Sequence, residues 1–400
     1  MRLRSFEPFW LVKNGLLHTY PSLRNQQLDA DIVVVGGGIT GALVSHSLLQ
    51  AGYNCIMIDK GDIGQGSTSA TTAMLQYEID VPLIELGEQI GKDKAAMCYR
   101  AGIQAIADIE KLISDEQIDC GFERKQSLYV AHNARSAKWL QKECEERRHI
   151  GIAVEWLSAD EISTRYALNS YGGILSETAA SLDAYRFTHE LIARNHSKGM
   201  KVYDQTVIGK IDCSSSGATL HLHDNSSISC KHIVFCNGFE AVGMLKEKTA
   251  DIFTTFACVS EEGINTNPAL QDVLVWDTGN PYFYMRTTDD GRLLLGGEDT
   301  DGNKDVDLKR KDTKAKKLIA HLKDISPDID FVEDFAWAGK FGTTKDGLPY
   351  IGSTAQYPGC FFVLGFGGNG ITFSVQGMKL IQDMLNDHSH PLLDCYRFGR

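Results

Sequence analysis

The stretch "DIVVVGGGITGALVSHSLLQAG", Asp31 to Gly52, limits the fold of this chain more than any other. Its apolar run, Asp31 to Val35, reads as a buried strand bounded by glycines. The residues that follow carry helical spacing and stop at Gly52. Gly36-x-Gly38-x-x-Gly41 therefore joins a strand to a helix. Gly36 permits the tight turn, Gly38 lets backbone approach a pyrophosphate, and Gly41 lets helix and strand pack closely. The N–H groups at the helix start then face an anion. A second buried strand, "NCIMIDK", ends in Asp59, 18 residues beyond Gly41. That is near the ~20 at which an acidic residue reaches a ribose. Strand, turn, helix and acid together specify a dinucleotide-binding unit, without saying which dinucleotide.

The next segment, "GDIGQGSTSATTAMLQYEID", reads as a long polar loop rich in hydroxyls. Leu83 to Cys120 turns helical, "SLYVAH" reads as a strand, and "RSAKWLQKECEERRHIG" as a polar-faced helix. "DAYRFTHELIARNHSKGM" is a helix capped by Asp183. Short strands follow, and from Ile252 to Gly297 the texture is β, with helix again over residues 303–325.

Near the end stands a second glycine turn, "LGFGGNGITFS", Leu364 to Ser374. A complete βαβ unit needs about 30 residues and an acid on its second strand. After this turn and its helix only "NDHSHPLLDCYRFGR" remains. The turn is therefore one strand, one loop and one helix, whose N-terminus suits a single anionic or polarised group. The N1–C2=O edge of a reduced flavin is such a group.

A net charge of −12 without a basic stripe argues against nucleic acid. The basic run "LKRKDTKAKK" reads as a solvated helix face. The ten cysteines lack C-x-x-C and zinc-ligand spacing, and free thiols in a reducing compartment fit best. The sequence contains neither a membrane-length apolar window nor a signal-peptide pattern. The expectation is a cytoplasmic protein without a metal, of unspecified oligomeric state.

With both turns, "HIVFCNG" and "WAGKFGTTKDGLPYIG" in place, the chain resembles the FAD-dependent D-amino-acid oxidase, glycine oxidase and sarcosine oxidase superfamily, from about residue 30 to 386. The resemblance implies an α/β fold with an α+β second domain: a Rossmann-like FAD-binding domain interrupted by a β-sheet substrate domain. The expected partition is an extension at 1–29, FAD-binding segments at 30–85, 172–240 and 339–386, substrate segments at 86–171 and 241–338, and a tail at 387–400. It implies non-covalent FAD, with Gly36, Gly38, Ile39, Thr40 and Gly41 at the pyrophosphate, Asp59 at the adenosine ribose, and Lys60 also among the cofactor-binding residues. Ser67 and Thr68 would follow the phosphates, with Met74 in the same loop. Val207 would present backbone to adenine, and Gly238 would lie against the cofactor. Gly367, Gly368, Asn369, Gly370 and Ile371 would hold the pyrimidine edge.

The activity implied is hydride transfer from a C–H next to nitrogen to flavin N5, on a small amine or amino-acid derivative, with oxygen or an electron carrier as acceptor. Alternatives are a 2-hydroxyacid or glycerol-3-phosphate type dehydrogenase and a non-catalytic flavin-binding subunit. The chain departs from the pattern where relatives clamp a carboxylate. Phe341 and Gly368 stand at positions where relatives carry arginine, which disfavours simple D-amino acids. Gly339 stands where sarcosine oxidase relatives bond the flavin through cysteine. For the substrate, alternation in "YFYMR" puts Tyr282, Tyr284 and Arg286 on one face. Tyr284, Arg286, Lys340 and Gln76 are the candidate catalytic residues.

Overall fold

The apolar runs beside the two glycine turns form the centre of one sheet. In the computed structural model, which describes residues 4–302 and 308–400, its strand order is Tyr350–Thr354, Tyr357–Leu364, Ser227–Phe235, Gln27–Val35, Cys55–Ile58, Lys201–Tyr203. From Tyr357–Leu364 to Lys201–Tyr203 the pairs are parallel. A sheet covered on both faces needs strands apolar on both faces, and Cys55–Ile58 is buried throughout. Strand Ile208–Ser214 and its partner Gly217–Leu222 extend this sheet from Ser227–Phe235. Helices Ile39–Gln50, Ala184–Ser197 and Gly370–Leu385 pack together on one face. Leu43, Val44 and Leu48 are fully buried, each contributing about 1.5–3 kcal/mol relative to exposure. Gly377 brings the last helix close to its strand, since a Cβ there would lie 2.4 Å from Val363.

The second sheet is larger and largely antiparallel. Its order is Arg4–Ser5, Glu333–Thr343, Asp251–Ser260, Leu293–Asp301, Phe283–Thr287, Val273–Asp277, Glu123–Val130, Gly173–Ser181, Met74–Gln76. Helix Leu308–Ile325 covers one face of it. The first five residues of the helix expected at 303–325 lie outside the described residues.

The sheets do not divide at the boundaries expected from sequence. Gly173–Ser181, Met74–Gln76 and Gly339–Thr343 fall within the expected FAD-binding segments, yet all hydrogen-bond into the larger sheet. Helix Lys92–Asp115 was placed with the substrate segments, yet its apolar face joins the core under Ile39–Gln50 and Gly370–Leu385. The polar loop after Asp59 also carries structure: a short helix, Ser67–Ala70, and the strand Met74–Gln76. That strand forms because residues about a hundred positions away, Ala179–Ser181, supply its partners. The N-terminal segment acquires a structural place as well. Arg4–Ser5 pairs with Ala338 and Gly339. Trp10 is buried and donates through Nε1 to the Thr71 carbonyl.

Candidate active site

The two glycine turns and the roof of the larger sheet border one cavity of about 1100 Å³. That reaches the top of the roughly 300–1,000 Å³ common for small-molecule sites, room for a dinucleotide and a small donor together. Gly36, Gly38, Ile39 and Thr40 line this cavity. Gly36 has φ +114°, and a Cβ on it would sit 2.6 Å from the Cys236 carbonyl oxygen. A Cβ on Gly41 would sit 1.9 Å from the Gly36 carbonyl oxygen. Gly41 thus acts behind the cavity, through packing. Gly38 caps helix Ile39–Gln50 without a side chain, so apart from the Ile39 N–H, which Thr68 takes, the first turn's N–H groups are left for an anion.

Asp59 borders the cavity at the end of Cys55–Ile58. Its Oδ2 accepts from Gly37 N at 2.6 Å and its Oδ1 from Gly61 N at 2.8 Å. A carboxylate has about four lone-pair sites, so capacity remains for a ribose. Burial pushes its pKa up, against the pull of these two N–H donors. Lys60 also borders the cavity and pairs with Glu240. Ser67, Thr68, Met74, Val207 and Gly238 line the same space. Thr68 Oγ1 accepts from Ile39 N at 3.1 Å, fastening the hydroxyl-rich segment to the first turn.

Gly367, Gly368, Asn369, Gly370 and Ile371 line the same cavity, and the Thr40 and Ser374 hydroxyls, 2.7 Å apart, join the two turns' helices. Asn369 donates through Nδ2 to the carbonyls of Gln76, at 3.0 Å, and Glu78, at 2.7 Å. These bonds hold the start of helix Gly370–Leu385 against strand Met74–Gln76. Helix Gly370–Leu385 also lacks a side-chain cap from Asn369.

Of the residues expected to act on substrate, Gln76, Tyr284 and Lys340 border the cavity. Tyr284 lies across Gly296, where a Cβ would come within 2.2 Å of its ring, and burial pushes its phenol up to about 12. The Lys340 ammonium donates to Thr254 Oγ1 at 3.1 Å and to the Gly302 carbonyl. Arg286 departs from expectation. Its side chain donates to the carbonyls of Thr72 at 2.6 Å, Thr287 at 3.0 Å and Leu182 at 3.1 Å, and it stacks over Trp10. It is 2% exposed and braces the walls, because a buried guanidinium needs acceptors for its fixed fork of donors.

Sequence reasoning missed Asp80 and Asp299, which both border the cavity. Asp80 Oδ2 accepts from Gly368 N at 2.9 Å. A Cβ on Gly368 would meet Asp80 Oδ1 at 2.7 Å, and one on Gly367 would meet Oδ2 at 2.6 Å. Asp80 therefore occupies the room a side chain at 368 would need. Surrounded by protein yet open to the cavity, its carboxyl is pushed up to about 6 by burial, with Asp299 adding repulsion against the pull of the Gly368 N–H. Burial also raises Asp299. Tyr282 and Tyr284 line the same cavity as both acids.

Two glycine turns on one parallel sheet, facing a shared cavity roofed by a second sheet, define a two-sheet dinucleotide-binding oxidoreductase fold. Residues 31–383 match the DAO family of FAD dependent oxidoreductases, and the chain belongs to that family. Among curated proteins it is 26% identical to glycine oxidase of Geobacillus kaustophilus over 89% of this chain and 92% of that protein. It is 23% identical to gamma-glutamylputrescine oxidoreductase of Escherichia coli, over 90% and 84% respectively. The crystal structure of Geobacillus kaustophilus glycine oxidase superposes with a TM-score of 0.78 at 23% identity, covering 93% of this chain and 99% of that one. L-proline dehydrogenase from P. horikoshii superposes with a TM-score of 0.75 at 16% identity, covering 93% and 97%. The fold shared with these structures and the family match make this chain an FAD-dependent oxidoreductase. Among the described residues no helix is long and apolar enough to cross a membrane. All ten cysteines are free thiols.

Proposed function

We propose that the chain dehydrogenates a small amine or amino-acid derivative at the C–H next to nitrogen. The observation that carries this reading is the single cavity bordered by the first glycine turn, the second glycine turn and the aromatic roof. The starts of Ile39–Gln50 and Gly370–Leu385, whose own cap residues make no side-chain bond, support a cofactor held at its pyrophosphate and at its reactive ring. FAD supplies the hydride acceptor. The chain's own part is to hold the donor under Tyr282 and Tyr284, exclude water and set the local charge. Non-covalent FAD is supported by Gly339, which has no side chain with which to bond the flavin.

The acidic pair supports a donor that carries a positive charge over an anionic one. Arginine is the usual clamp for a carboxylate, but Arg286 is committed to the walls, while Asp80 and Asp299 line the cavity. An anaerobic substrate panel tests the reading through bleaching of the flavin. Amines should bleach it and hydroxy acids should not. Bleaching by hydroxy acids alone would overturn the amine reading, and bleaching by neither class would favour a non-catalytic flavin protein.

A pH dependence follows from Asp80. Its pKa lies above the ordinary carboxylate value, so it is neutral below about pH 6 and anionic above. The affinity of a cationic amine, measured anaerobically, should fall as pH drops through that value. Asp80→Asn should remove this step and weaken binding about tenfold at neutral pH, the size of one charge-assisted contact. A step that persists in Asp80→Asn would assign the titration elsewhere.

A further inference from the structure

Away from the cavity, three side chains from three separate elements converge at one end of the larger sheet. Asp277 ends strand Val273–Asp277, which runs parallel to Glu123–Val130 with Asp277 opposite Val130. The two chains leave the sheet side by side, so His132 follows two residues beyond Val130. The His132 N–H donates to Thr278 Oγ1 at 3.0 Å, which fixes that exit. His321 reaches in from helix Leu308–Ile325, its ring stacked on Phe283 at 4.4 Å and 6°.

Asp277 is 3% exposed, and its two oxygens do different things. Oδ1 accepts from Gly279 N at 2.9 Å and Phe283 N at 3.2 Å, which locks the carboxylate plane. Gly279 leaves room beside it, since a Cβ there would lie 2.8 Å from Oδ2. Oδ2 accepts no hydrogen bond among the described residues, although it is buried. It lies 3.0 Å from His321 Nε2 and 3.9 Å from His132 Nδ1. The former approach is close but lacks hydrogen-bond geometry. A buried oxygen without a donor is costly, and native structures rarely leave one so.

One nitrogen from each ring and this oxygen all lie within 4.8 Å of one another. A tetrahedral ion with bonds of about 2.0–2.1 Å would set its ligand atoms about 3.3 Å apart. The two separations of 3.0 and 3.9 Å bracket that value. We propose that His132, Asp277 and His321 form a binding site for a divalent transition-metal ion of the zinc class. Two imidazoles with one carboxylate select such an ion over calcium or magnesium, which favour all-oxygen sets. With three protein ligands, the fourth position falls to water on the exposed side of His132, whose side chain is 53% exposed. The ion would tie helix Leu308–Ile325 to the strand carrying Trp276, a cavity-lining residue. The site is independent of the reaction proposed for the cavity.

The test uses tag-free holoprotein stripped with a chelator and titrated with zinc chloride in a calorimeter. One equivalent should bind at low micromolar affinity or tighter and raise the unfolding temperature. Cobalt(II) should give visible ligand-field bands at the same stoichiometry. His132→Ala removes an exposed side chain, so flavin content and folding should be retained while affinity falls about a hundredfold or more. Asp277→Asn keeps an oxygen for Gly279 and Phe283 and should weaken binding similarly. No saturable binding below millimolar zinc would overturn the proposal. So would one-equivalent binding that His132→Ala leaves unchanged.

Discussion

Gly38→Val should purify folded and colourless. Gly38 sits at φ −86° and ψ −173°, extended backbone that any residue adopts. The nearest atom to a Cβ there is Thr68 Oγ1 at 3.0 Å, a hydroxyl that can shift by a few tenths of an ångström. At its Cβ, valine therefore asks of the chain only a small shift of that hydroxyl. It does not fit a pyrophosphate brought against the start of helix Ile39–Gln50, because its methyl groups project into that approach. FAD affinity should fall at least about a hundredfold, some 2.7 kcal/mol. Flavin absorbance after gel filtration and a fluorescence titration of the apoprotein measure it. Apo forms of wild type and variant should unfold alike. The FAD-dependent rise in stability should shrink in the variant, since that rise follows ligand concentration over Kd. Gly36 and Gly41 are poor substitutes for this experiment. A side chain on either collides with backbone, at 2.6 and 1.9 Å respectively, and damages the fold first. A yellow Gly38→Val with wild-type affinity would remove this turn from the cofactor site.

What could be read from sequence was what lies close together along the chain. The first turn, its helix and Asp59 fall within Asp31 to Asp59, and every part has a fixed offset. The second turn was legible for the same reason, and both turns border the cavity. Arg286 shows the limit of this approach. Alternation puts Tyr282, Tyr284 and Arg286 on one face; the two tyrosines line the cavity, but Arg286 is claimed by carbonyls at Thr72 and Leu182, far off in sequence. A guanidinium reaches several ångströms beyond its Cβ, so strand parity says little about where its donors end.

Asp80 was invisible for a related reason. It belongs to no motif, and its partner Gly368 lies 288 residues away. A signal did exist in the second turn. Two glycines in a row at 367 and 368 leave space beside them, and the carboxylate of Asp80 fills it. The strand Met74–Gln76 was hidden by its polar, hydroxyl-rich context, and only its pairing with Ala179–Ser181 makes it a strand. Local texture likewise does not report which sheet a strand joins.

The largest stability effect should come from Arg147, which has no place in the catalytic reading. It is fully buried on helix Ala134–His149. Its Nε donates to Glu143 Oε1 at 2.9 Å, and its Nη1 lies 3.6 Å from Glu78 and 3.5 Å from the Tyr77 hydroxyl. Tyr77 and Tyr99 enclose the guanidinium, at 5.9 and 5.7 Å. Glu143 in turn accepts from Leu83 N and Ile84 N, satisfying the start of helix Leu83–Ile90. The Glu78 carbonyl receives Asn369, so one cation supports two helix starts and the second glycine turn. Arg147→Ala would leave two buried carboxylates without their counter-charge, a loss of about 3–5 kcal/mol in urea unfolding. The pH dependence identifies the cause. Burial already raises the Glu78 pKa, with Arg147 pulling it down. Removing Arg147 raises it further, so the folded variant binds a proton that the unfolded chain has lost above about pH 4.3. The deficit should therefore grow as pH rises through the range above that value and shrink on acidification. Adding Glu78→Gln to an Arg147→Met background should recover part of the loss, because an apolar side chain facing a neutral amide leaves fewer uncompensated charges. A deficit that is flat with pH and untouched by Glu78→Gln would make Arg147 a packing residue whose charge carries no weight.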